Sequence, residues 1–194
     1  MLSRKADTTF PTLTERFVKY ARINTQAQEG SETYPSSACQ LDLAKELVQE
    51  LQDLGLTNAA MDKFGYVTAS LAASDPALAQ VPVIAFISHM DTYPEVSGKN
   101  VNPVFHENYQ GGDIALPKND VVIPASENPY LDECRGETII TADGTTLLGA
   151  DDKAGIAEIM EALTRIVENP DFKHGPVKVA FTPDEEVGKG VLHF

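Results

Sequence analysis

Between Val81 and Ser88 the chain is almost continuously apolar and uncharged, and it then turns abruptly polar at His89-Met90-Asp91. An apolar run this short predicts a central β-strand covered on both faces, which only a sheet layered with helices provides. A second strand is expected where Val177, Val179 and Phe181 alternate with other residues, and it runs into Thr182-Pro183-Asp184-Glu185-Glu186.

Helical periodicity fills the intervals. Thr12 to about Asn24 places Leu13, Phe17, Tyr20 and Ala21 on one face, and Thr12 with Glu15 makes a capping-box pattern. A longer helix is expected from about Ser37 to Leu54, with Leu43, Leu47, Leu51 and Leu54 as its stripe and Gly55 as its stop. Cys39 falls within this pattern as a small packed side chain. A third helix, Lys153 to Glu168, carries Ile156, Ile159, Met160, Leu163, Ile166 and Val167 on one side. Helices alternating with strands, and polar clusters after the strands, predict an α/β fold whose site lies outside the strand carboxyl ends.

Elsewhere the pattern is looser. Asn24 to Ser37 is polar and reads as an exposed loop. Asn58–Asp62 and Tyr66–Leu71 flank a Lys63-Phe64-Gly65 turn and read as a hairpin. A second hairpin is expected over Thr138 to Leu148, around Asp143-Gly144. The Pro- and Gly-rich stretch from Tyr93 to Glu137 has no strong period, and a loop that long is more often functional than filler.

The 194 residues suffice for a buried core, and 42% apolar content is that of a globular chain. A formal net charge of −14 argues against nucleic acid or an anionic membrane as partner through a generic basic surface. Cys39 and Cys134 lack C-x-x-C spacing, so neither a disulfide framework nor a zinc ribbon is expected. With no apolar leader and no membrane-length run, cytoplasmic residence is the default expectation. The chain stops at Val191-Leu192-His193-Phe194, a few residues after its richest acidic cluster, which reads as a truncation.

Three clusters carry the chemistry. Imidazole nitrogen and carboxylate oxygen are ligands for zinc and related divalent ions. In His89-x-Asp91 the two side chains point the same way from extended backbone, so Asp91 suits orienting a metal-binding His89. Asp151-Asp152 follows a Gly-Ala turn at a helix start; capping explains one carboxylate, and Asp151 is the candidate for metal. Lys153 would be a local counter-charge or a structural contact. In Glu185-Glu186 one carboxylate can hold metal while its neighbour acts as general base, although three consecutive acids also suit a solvated loop. His106, His174 and His193 fit ordinary surface or packing roles, His106 alone lying in a loop that could border a site. No H-E-x-x-H, G-x-S-x-G or phosphate-binding loop is present.

In this order the segments Ser88–Thr92, His106–Ile114, Leu147–Gly155 and Phe181–Gly188 resemble the co-catalytic di-zinc exopeptidases, the family of carboxypeptidase G and the aminoacylases. The second segment sets its tripeptide-aminopeptidase branch apart. The resemblance implies a zinc-exopeptidase-like catalytic domain, a central mixed sheet flanked by helices, of which residues 1–194 are the N-terminal part. It implies two zinc ions, with His89 on one, Glu186 on the other and Asp151 bridging. Glu185 would be the general base, Asp91 would orient His89, and the Asp151–Asp152 peptide would be cis. The implied reaction is release of the N-terminal residue of a tripeptide by metal-activated water. A further Asp ligand, a C-terminal His ligand and the lid domain through which relatives form homodimers are missing. The chain alone is therefore expected to bind zinc poorly and to lack activity. Alternatives are a related amide hydrolase such as a deacylase, or a non-catalytic metal-binding fragment.

Overall fold

A computed structural model describes residues 10–194. Helix α1 spans Leu13–Arg22, and its capping box is formed: Thr12 Oγ1 accepts from the Glu15 amide (3.3 Å) and the Thr12 amide donates to Glu15 Oε2 (2.7 Å). Leu13, expected on the packed face, is 39% exposed, whereas Arg16 is fully buried. Helix α2 spans Gln40–Asp53, with Gly55 at φ +91 just beyond it. It starts later than its periodicity predicts: Cys39 is the half-buried N-cap residue, outside the helix.

The hairpin that follows pairs β1 (Ala60–Met61) with β2 (Val67–Leu71). The Asp62 carboxylate fastens its turn by accepting from the Phe64 and Tyr66 amides. Next come β3 (Ile84–His89), β4 (Val104–His106), β5 (Ile114–Ala115), β6 (Val122–Ile123), β7 (Ile139–Thr141), α3 (Ala150–Glu168) and β8 (Val177–Thr182).

The main sheet has the order β1-β2-β8-β3, with β2 antiparallel and β3 parallel to β8. Its face bearing Val67, Ala69, Val177, Val179 and Phe181 joins Leu43, Leu47, Leu51, Ile156, Met160 and Leu163 in one core. This is the mixed-sheet α/β architecture the pattern predicts. Arg16 cross-links the helices beneath it, bonding Glu50 of α2 and both Glu161 (2.9 Å) and Thr164 (2.8 Å) of α3.

Three expectations are corrected. Among the described residues the apolar strand β3 is at the sheet edge, bonded only to β8, and Ile84 (58%), Phe86 (46%) and Ile87 (56%) are exposed. The hairpin expected over Thr138–Leu148 does not form. Its first arm, β7, pairs with β4 instead, because Asp143 is buried and bound to Lys118, Asn102 and Thr145, and Leu147 bonds back to Ser97. The Lys118 ammonium and the Thr145 bonds hold the Asp143 carboxyl well below the usual carboxylate range. The polar stretch Asn24–Ser37 is not simply exposed. Thr25 and Ser36 are buried, and Gln26 bridges to Thr92 beside the β3 terminus. No helix among the described residues is long and apolar enough to cross a membrane.

Candidate metal centre

Parallel strands β3 and β8 end side by side, because Ser88 pairs with Phe181 and His89 with Thr182. The polar clusters after them are therefore neighbours although more than ninety residues apart in sequence. The turn into α3 completes the site. There Gly149 adopts φ +76, and Asp151 and Asp152 remain non-helical before the regular helix begins. The Asp151–Asp152 peptide is cis, as the resemblance implies.

The two aspartates divide their tasks. Asp152 turns back on the fold: its carboxylate accepts from Ser88 Oγ (2.6 Å) and from the Gly155 amide (3.2 Å), capping α3. A Cβ at Gly155 would collide with that carboxylate, so a larger residue there would displace the Asp152 side chain. Asp151 instead projects into the open, its side chain 85% exposed, and meets His89 Nε2 at 2.9 Å. Lys153 is a structural contact. It is buried, and it donates to the Ile23 carbonyl at the end of α1 (2.7 Å); burial pushes its pKa down to about 8.

His89 is held from behind. Its Nδ1 lies 3.1 Å from the Asp91 carbonyl and 3.3 Å from Asp91 Oδ1, which leaves Nε2 facing the cleft. Burial lowers the His89 pKa, but the bond and charge of Asp91, the Asp151 bond and the Glu185 charge outweigh it and raise the value to about 9. Asp91 does more than orient a ring. Fully buried, it accepts from the Glu185 amide (2.9 Å) and the Glu186 amide (3.0 Å), clamping one cluster to another.

One potential ligand atom from each of His89, Asp151 and Glu186 lies within 4.8 Å of the others. The Glu185 side chain, 59% exposed, stands beside them with Oε2 at 3.8 Å from His89 Nε2. Burial raises the Glu186 pKa; the His89 charge opposes this, and the charges of Asp151, Asp91 and Glu185 reinforce it. A cleft of about 520 Å³, walled by Tyr93, Leu147 and Leu148, opens onto Asp151 and Glu186. All five residues singled out by sequence, His89, Asp91, Asp151, Glu185 and Glu186, thus meet at one place.

The remaining histidines stay apart from the cluster. His106 bonds Thr141 (2.9 Å), His174 bonds the Gly175 carbonyl (2.8 Å), and His193 stacks on Phe64. Sequence reasoning missed Asp184, Ser36 and Gln40, which form a buried network directly behind the Glu pair. Nothing in an acidic run marks its first member as the one that turns inward.

No protein-family model matches the chain. Among curated proteins, peptidase T of Geobacillus kaustophilus is 51% identical over 183 residues, covering 94% of this chain and 44% of that protein. By sequence, the chain is a homologue of peptidase T. Peptidase T of Halothermothrix orenii gives 50% identity over 181 residues, 93% of this chain and 44% of that protein. The chain thus spans less than half the length of these peptidase T relatives. Among solved structures, aminopeptidase PepT of Bacillus cereus superposes with a TM-score of 0.63 at 25% identity, over 94% of this chain and 39% of that one. A tripeptidase of Staphylococcus aureus gives a TM-score of 0.57 at 26% identity, over 91% of this chain and 37% of that one. The fold is therefore shared with part of these two peptidases.

Proposed function

We propose that this chain forms the metal-holding part of a peptidase catalytic domain, and that the complete protein releases the N-terminal residue of tripeptides. The observation that carries the reading is the convergence of His89, Asp151 and Glu186 from three separate elements within 4.8 Å. The donor set fits a divalent cation. One imidazole and several carboxylates share a half-open cleft, and among the described residues no lysine or arginine pairs with Asp151, Glu185 or Glu186.

In this reading His89, Glu186 and a shared Asp151 would hold two zinc ions. When bound, such ions supply Lewis acidity toward the peptide carbonyl and acidify water. Asp91 keeps Nδ1 engaged so that Nε2 presents its lone pair. Glu185, adjacent but pointing into solvent, removes a proton from the attacking water and returns it to the departing amine. The wall of Tyr93, Leu147 and Leu148 gives the peptide an apolar surface beside the carboxylates.

The test compares two lengths of chain. Residues 1–194 with added zinc are expected to hydrolyse no tripeptide. A chain of the relatives' full length is expected to do so, with Glu185→Gln lowering kcat about 10²–10⁴-fold. Glu185-dependent turnover by residues 1–194, or an inert full-length chain, overturns the proposal.

A further inference from the structure

Three consecutive acids, Asp184, Glu185 and Glu186, leave β8 in divergent directions. Asp184 is 0% exposed and faces the body of the fold. Its carboxylate accepts from the Ser36 amide (2.6 Å), the Ser36 hydroxyl (2.5 Å) and the Gln40 side-chain amide (2.7 Å). Gln40, also fully buried, reciprocates through Oε1, which accepts from the Asp184 amide (3.1 Å). Asp184 itself lies in the left-handed region, φ +59, and its carbonyl accepts from the Lys189 amide (2.9 Å). An L residue adopts that conformation at a cost, so the surrounding bonds hold it there.

Beyond Asp184, the Glu185 and Glu186 amides are gripped by the buried Asp91 carboxylate. The backbone of the Glu pair is therefore fixed at two points, by Asp184 on the α2 side and by Asp91 on the β3 side. The two anchors are joined behind the site. Ser36 Oγ accepts from the Gln28 amide (2.9 Å), Ser37 Oγ donates to the Gln26 carbonyl (2.6 Å), and the Ala27 amide donates to Thr92, the neighbour of Asp91 (2.9 Å). The segment Asn24–Ser37 thus closes a ring of hydrogen bonds around the Glu turn.

We infer that Asp184, held by Ser36 and Gln40, is a positioning residue that sets the backbone of Glu185 and Glu186 so that their carboxylates face His89 and Asp151. For catalysis this rests on the peptidase reading; for geometry it does not. Asp184→Asn replaces an acceptor by an NH₂ group that opposes the Gln40 NH₂ or a Ser36 donor, so one buried donor loses its partner. Adding Gln40→Glu restores an acceptor opposite that NH₂, keeps the net charge and still receives the backbone amide of residue 184. The paired exchange is the rescue.

Two measurements decide it. In residues 1–194, amide hydrogen exchange in Asp184→Asn is expected to speed up at Glu185 and Glu186 by about tenfold, with Val177–Thr182 unchanged, and to slow again in the double variant. A uniform rise across β8, or no change at residues 185 and 186, overturns the inference. In the full-length enzyme, Asp184→Asn is expected to lower kcat by about 10²-fold with KM nearly constant, and the double variant to recover most of it. An unaltered kcat, or a double variant no better than the single, also overturns it. Glu185→Gln run in parallel separates the two ideas. If that change is harmless the peptidase reading fails, and the exchange experiment still judges whether Asp184 sets the turn.

Discussion

At the scale of single residues, adjacent carboxylates that look equivalent do different work because the fold aims them differently. Asp152 is tied to Ser88 and to the Gly155 amide of α3, while the Asp151 side chain is 85% exposed. Asp152→Ala should therefore destabilise the chain by about 1–2 kcal/mol through loss of the cap, whereas Asp151→Asn should shift it by less than about 0.5 kcal/mol. Urea melts of metal-free protein measure both, and equal losses would contradict the division. His89 gives the pH dependence. Its folded pKa is raised from 6.5 to about 9, so the stabilisation tied to its charge is complete below about 6.5 and is lost as pH rises through about 9. NMR titration of the ring in chelator should find that midpoint, and Asp151→Asn should lower it.

At the scale of elements, the helices are stapled by one buried cation. Arg16 of α1 reaches Glu50 of α2 and Glu161 of α3, all three at or near complete burial. Tyr20 adds a bond to Glu50 (2.7 Å), and burial pushes its hydroxyl pKa far above the ordinary value. Removing Arg16 alone leaves buried Glu50 with no cation and takes one of the two cations from Glu161, which keeps Arg165 (2.8 Å), so Arg16→Ala should cost about 3 kcal/mol. Replacing all three charged groups with apolar residues of similar size should cost less, since the desolvation penalty disappears with the charges and the main buried loss that remains is the acceptor of the Tyr20 hydroxyl. Thermal melts of the two variants make the comparison. If Arg16→Ala were as stable as the triple replacement, the staple would be ornamental.

At the scale of the whole molecule, the open side of β3 is the largest unmet demand. Ile84, Phe86 and Ile87 are exposed along a strand whose one ionisable residue, His89, is buried at its far end. Between them and α3 runs an apolar groove of about 360 Å³, which includes Ile159 and Ile166. Natural edge strands are usually blunted by charge, proline or a bulge. As isolated protein, residues 1–194 should self-associate as concentration rises, and Ile87→Lys should suppress this without lowering thermal stability. Light scattering across a dilution series tests it, and a wild-type chain monomeric throughout would contradict it.

Local signals in the sequence already determined much of this. Three helices, the β1–β2 hairpin and both long strands follow from periodicity and caps, and the five residues that converge at the candidate site are marked by residue types that can bind cations together with the family resemblance. Those features depend on a few neighbours along the chain, so a one-dimensional reading captures them. The tertiary structure decided what depends on distant partners. It placed β3 at an edge, where among the described residues only β8 pairs with it. It gave β7 to β4 rather than to the residues after Asp143, because Lys118 and Asn102 claim that aspartate. It also turned Asp184 inward toward Ser36 and Gln40 while its two neighbours face the cleft. A carboxylate's role is set by which donors surround it in space, and those donors come from segments that the chain's order does not bring near.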